Sequence, residues 1–165
     1  MAQLRLMLFA LAACTADAAP GSGVPVPPGV TPPFAPPVGS MVTPPAGWMP
    51  LPILASAART QIDGARAEAW GEPAMGCYAA TLTFAQRGAT SALLADVQKS
   101  VSVHDVVAPT TPAGVLAFAF EKAPYKGRVR ATLDGKTVTA LACFWNDREP
   151  AACEAACTGM IGSMR

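Results

Sequence analysis

Residues 127–145 read "GRVRATLDGKTVTALACFW". Two runs of alternating character meet at Asp134-Gly135. Asp-Gly between alternating runs is a strong short-range hairpin signal, because such a two-residue turn needs backbone torsions that Gly and Asp tolerate. A loop at these two residues opposes Leu133 to Lys136, Ala131 to Val138 and Val129 to Ala140. Side chains alternate along a strand, so Val129, Ala131, Val138, Ala140, Ala142 and Phe144 share one face. The other face is polar near the turn, with Arg128, Arg130, Thr132, Thr137 and Thr139. Further out it carries Leu141, Cys143 and Trp145. The hairpin is therefore expected to be solvated on one face near its turn and covered on both faces at its far end.

Next come residues 146–164. Asn146 stands three residues before Glu149, a capping-box spacing. Pro150 suits a first helical turn. Cys153, Cys157, Met160 and Met164 then recur at helical spacing on one stripe. This helix is the natural cover for Leu141, Cys143 and Trp145. On the N-terminal side, "CYAATLTFA" places Tyr78, Ala80, Leu82 and Phe84 on one face, and "GARAEAW" alternates weakly. "ATSALLADVQKSVSV" is an amphipathic helix capped at Thr90 or Ser91. "GVLAFAFEK" puts Leu116, Phe118 and Phe120 together. Leu51 to Arg59 has few polar residues and is compatible with a short helix at the domain edge. The expected fold is α+β: a small antiparallel sheet of four to five strands with two helices, in the order β-β-α-β-β-β-α.

Composition divides the chain. Of its 165 residues, only Arg5 and Asp17 are charged before Arg59. Twelve of the seventeen prolines lie between Pro20 and Pro52. Proline fixes φ and lacks an N–H, so this stretch suits neither helix nor interior strand. "VTPP" recurs at Val30 and Val42. At about 3.1 Å per residue, residues 20–52 reach at most roughly 100 Å as a semi-rigid spacer. The expected division is 1–13 export signal, 14–52 Pro-rich linker and 53–165 a single domain. A net charge of +1 supplies no electrostatic case for nucleic acid.

The leader explains the spacer. Arg5 is followed by an apolar run from Leu6 to Ala13. That run is too short to span a bilayer and fits the core of an export signal. It ends Leu11-Ala12-Ala13-Cys14, which resembles the lipobox of bacterial lipoproteins. The resemblance implies cleavage before Cys14, a diacylglyceryl thioether on its sulfur and an acylated amino group. Multiple acyl chains anchor a protein durably. Thr15 stands where an Asp would favour inner-membrane retention in enterobacterial lipoproteins, so outer-membrane anchoring is expected. The other reading is an ordinary signal cut after Ala16-Asp17-Ala18, giving a secreted or periplasmic protein.

Five cysteines are present. With Cys14 carrying lipid, four remain, and an even number in an exported domain predicts two disulfides. Cys153 and Cys157 lie one helical turn apart and would strain a regular helix if joined to each other. Each is expected to bond to a strand, as Cys143–Cys153 and Cys77–Cys157, with the swapped pairing open. A second reading takes Cys153, Cys157 and Met160 as soft sulfur ligands for Cu(I), or the cysteines as a thiol-redox pair. The spacing resembles periplasmic copper carriers in that respect alone, since the prolines around their cysteines are missing.

Little else points to chemistry. His104 and Asp105 are neighbours, and on a regular strand they would face opposite ways. No G-x-S-x-G appears. Arg128 and Arg130 share one face and could meet an anionic partner such as a phospholipid headgroup or a glycan. The sequence therefore points to a non-enzymatic, membrane-anchored envelope module without a cofactor, whose partner is an envelope protein or a glycan.

Overall fold

A computed structural model describes residues 41–164. The leader, Cys14 and the linker up to residue 40 lie outside the described residues. The domain is α+β, with a seven-stranded antiparallel sheet and three helices among the described residues. The elements are β1 (Met49–Pro50), α1 (Pro52–Gln61), β2 (Arg66–Glu72), β3 (Cys77–Ala85), α2 (Thr90–Gln98), β4 (Ser102–Val107), β5 (Ala113–Lys122), β6 (Tyr125–Asp134), β7 (Thr137–Trp145) and α3 (Pro150–Ser163). Across the sheet the strand order is β1-β2-β3-β7-β6-β5-β4.

The expectation of four to five strands and two helices is corrected on three elements. α1 is a full helix with Pro52 in its first turn, burying Leu54, Ala55 and Ala58. β1 is a two-residue edge strand paired with β2. β4 is the opposite edge and is mostly exposed, so its residues carry almost no burial pattern to read. Val42 and Trp48, within the stretch assigned to the linker, are buried against the sheet.

The β6–β7 hairpin keeps its expected faces with a different loop. Leu133 pairs with Val138, Ala131 with Ala140 and Val129 with Ala142. The two loop residues are Gly135 and Lys136. Gly135 has φ +87°, and a positive φ at the first loop position alone matches the II′ pattern. Asp134 Oδ1 accepts hydrogen bonds from the backbone N–H of Lys136 at 2.8 Å and of Thr137 at 2.6 Å, which holds the turn one residue further on. Pairing thereby shifts by two, which leaves every side chain on its original face; a shift of one would have inverted them.

One face of the sheet holds the larger core. Leu82, Phe84, Leu116, Phe118, Phe120, Val129, Leu133 and Val138 pack there beneath α1 and α2. At one end Tyr78 stacks on Phe144 with ring centroids 5.3 Å apart, and Tyr125 meets Phe144 edge-on at 5.8 Å. Between these aromatics β6 needs Gly127, over which the Phe120 ring lies. The opposite face is covered over β2, β3 and β7 by α3 and by Val42 and Trp48. Toward the hairpin turn it is more open and carries the threonines. The sheet is thus covered on both faces at one end and on one face near the turn, as the alternation predicts.

Candidate functional site

The layer beneath α3 gathers the chemistry-bearing residues. Trp70, Cys77, Ala79, Leu141, Cys143 and Trp145 form its floor, and Cys153, Cys157 and Met160 descend from α3. All four cysteines of the domain are buried here, Cys157 with no exposed surface at all. Cys77 and Cys153 are joined by a disulfide with Cα atoms 5.2 Å apart. Cys143 and Cys157 are free thiols. The Cys143 thiol approaches the Cys157 carbonyl oxygen at 4.0 Å. The neighbouring Cys157 side chain, together with burial, holds its pKa well above the usual thiol range.

The expected Cys143–Cys153 and Cys77–Cys157 bonds are therefore corrected: Cys153 bonds to Cys77. The reason is a match of spacings. Cys77 lies opposite Trp145 across the β3–β7 ladder, and Ala79 lies opposite Cys143. Moving from the level of Cys77 to that of Cys143 covers two strand residues, about 6.6 Å. Moving from Cys153 to Cys157 covers four helical residues, about 6 Å. A helix laid with Cys153 over Cys77 sets Cys157 over the level of Cys143. The expected pairing would cross these two levels.

Local structure fixes the first level. Gly76, with φ +75°, ends the β2–β3 turn, and a Cβ there would overlap the Asn146 side chain. Asn146 donates its backbone N–H to the Gly76 carbonyl at 3.2 Å, and its Oδ1 accepts from the Arg148 N–H at 3.1 Å. Arg148 reaches back to the Pro73 carbonyl at 3.3 Å. Asn146 therefore does not cap α3, whose N-cap is Glu149 without a side-chain cap. It ties the β2–β3 turn to the exit of β7, beside the two strand ends that carry Cys77 and Trp145. Sequence reasoning missed this tie; the only signal was a glycine preceding Cys77.

The copper alternative fares differently from its spacing. Cys153, Cys157 and Met160 do share one stripe of α3, all buried. The Cys153 sulfur is bonded to Cys77, so the three do not offer three free sulfur ligands. Among the described residues, no group of three or more His, Cys, Asp or Glu side chains is arranged to hold a metal ion.

Arg128 and Arg130 lie beside this layer on the same face. Arg128 pairs with Glu154 of α3. Both arginines line a groove of about 270 Å³ with Ala117, Ala119, Ile161 and Asp105. Small alanines on β5 leave the groove open, and Ile161 of α3 forms an apolar wall. The two arginines are thus brought together, one ion-paired and one half-buried in the groove.

His104 and Asp105 depart from the regular-strand expectation. They lie on β4, where the register breaks between His104 and Val107. Asp105 has φ +53°, and this bulge turns its carboxylate back so that Oδ2 sits 3.1 Å from His104 Nδ1. Glu121 Oε1 lies 3.9 Å from Nε2. The three groups stand at the exposed sheet edge, with side chains 48%, 83% and 65% exposed in that order.

Among the described residues, no helix is long and apolar enough to cross a membrane. Comparison with protein-family models, with curated proteins and with solved structures finds no match.

Proposed function

We propose that this chain is an exported, lipid-anchored protein of the cell envelope, with a non-catalytic, disulfide-stapled domain held off the membrane by the Pro-rich spacer. The observation that carries the reading is the buried Cys77–Cys153 bond between β3 and α3. Structural disulfides of this kind persist in oxidising compartments and are rare in the cytosol. The lipobox-like Leu11-Ala12-Ala13-Cys14 supplies the anchor, and Thr15 fits delivery to the outer membrane. The domain's role is to bind an envelope protein or glycan or to serve as a structural part. The groove lined by Arg128, Arg130, Asp105 and Ile161 is the proposed contact surface, setting charged heads beside an apolar wall.

The test is a Cys14→Ala variant expressed in a bacterial host, followed by membrane fractionation and metabolic labelling with a fatty acid. The wild-type chain is expected to take up label and sediment with membranes, and the variant to do neither. A variant that stays membrane-bound, or a wild type without label, rejects the lipid anchor.

A further inference from the structure

We infer that Cys143 and Cys157 are the site of a second disulfide, parallel to Cys77–Cys153, which completes a two-rung ladder between α3 and the sheet. The fold brings the two residues together. The first rung fixes α3 along the sheet axis, and the matched rises of strand and helix set Cys157 at the level of Cys143. The Cys143 thiol lies 4.0 Å from the Cys157 carbonyl oxygen, which sets the two residues side by side. Both residues are buried, so each thiol's surroundings are set by this layer rather than by solvent.

No other partner competes. Cys77 and Cys153 are joined to each other, and Cys14 is removed from exchange by lipidation or by signal cleavage. The removal of Cys14 rests on the proposed export of the chain; the pairing of Cys143 with Cys157 does not.

The chemistry balances with one external reagent, a disulfide of the small-molecule or thiol-oxidoreductase class. The Cys143 and Cys157 thiols each give up one hydrogen, and an S–S bond forms between them. The two protons and two electrons pass to the external disulfide, which leaves as two thiols. Attack needs a thiolate, and burial together with the Cys157 contact suppresses ionisation at Cys143. The bond therefore forms while α3, aligned by the first rung, is not yet packed down and the thiols still reach the oxidant. Once α3 is down, a thiol pair left behind is shielded from oxidant and a bond already made is shielded from reductant.

The test uses the full chain carrying Cys14→Ala, so that four cysteines remain. It is reduced, unfolded, refolded in oxidised and reduced glutathione, then alkylated under denaturing conditions. The expected intact mass is four hydrogens below that of the fully reduced chain, with no alkyl group added. Cleavage after Glu154 separates Cys153 from Cys157, and the fragment map is expected to link Cys77 to Cys153 and Cys143 to Cys157. Alkylation of both Cys143 and Cys157 would overturn the inference, as would the crossed links. So would stoichiometric capture of Cu(I) by that thiol pair in the refolded chain. Because the experiment needs neither export nor lipid, its failure is separate from failure of the envelope reading.

Discussion

The staple between β3 and α3 makes a quantitative prediction. In a Cys77→Ala, Cys153→Ala double variant the cross-link is lost from a sequence separation of 76 residues. Loop-closure entropy assigns a cross-link of that span about 4.5 kcal/mol at 25 °C. Deleting two buried sulfurs adds about 1 kcal/mol each in lost burial. The expected loss is therefore about 6.5 kcal/mol, a large part of the 5–15 kcal/mol typical of a domain. All three tryptophans of the chain, Trp48, Trp70 and Trp145, lie in the layer under α3. Their fluorescence reports the stapled face directly. With a urea slope of about 1.5 kcal/mol/M, the unfolding midpoint should fall by about 4 M, or the variant should be unfolded without denaturant. A fall of about 1 M would equal the sulfur deletions alone. That result would refute the claim that the bond constrains the unfolded chain.

Three other positions yield predictions. A Cβ at Gly127 would overlap the Cys143 carbonyl oxygen and stand 2.8 and 2.9 Å from two ring carbons of Phe120, so Gly127→Ala should cost about 3 kcal/mol, read from the same urea transition. The Arg128–Glu154 pair is about half exposed on both sides, so a double-mutant cycle with Arg128→Ala and Glu154→Ala should give a coupling below about 1 kcal/mol that shrinks further in salt. The Asp134 carboxylate is held below its ordinary pKa by the backbone N–H groups of Lys136 and Thr137. A depressed carboxylate stabilises the fold above its unfolded pKa and loses that contribution as pH falls through the folded value. NMR titration should place the Asp134 pKa below that of an unfolded peptide, and Asp134→Asn should remove this part of the acid dependence.

Much of the fold was legible because strand alternation is a local property. Tyr78, Ala80, Leu82 and Phe84 share the face their spacing demands, as do Val129, Ala131, Val138 and Ala140. The second assignment survived a hairpin loop displaced by one residue, since pairing then shifts by two. The edge strand β4 was not legible, because its exposed residues leave no pattern and its bulge breaks the period. That same bulge brings His104 and Asp105 together against the rule for regular strands. The α1 stretch was visible as an apolar run, yet its standing as a third helix depended on burial against the sheet.

The sequence by itself determined which residues face which way. It placed Cys143 with Leu141 and Trp145 on a surface needing cover, and Cys153, Cys157 and Met160 on the helix stripe that covers it. Which sulfur meets which was decided only in three dimensions. Face assignment follows from periods of two and 3.6 residues that any short segment contains. Sulfur pairing depends on how far α3 is advanced along β3 and β7. That advance is set by contacts between residues far apart in the chain, beginning with the tie of Gly76 to Asn146 beside Cys77.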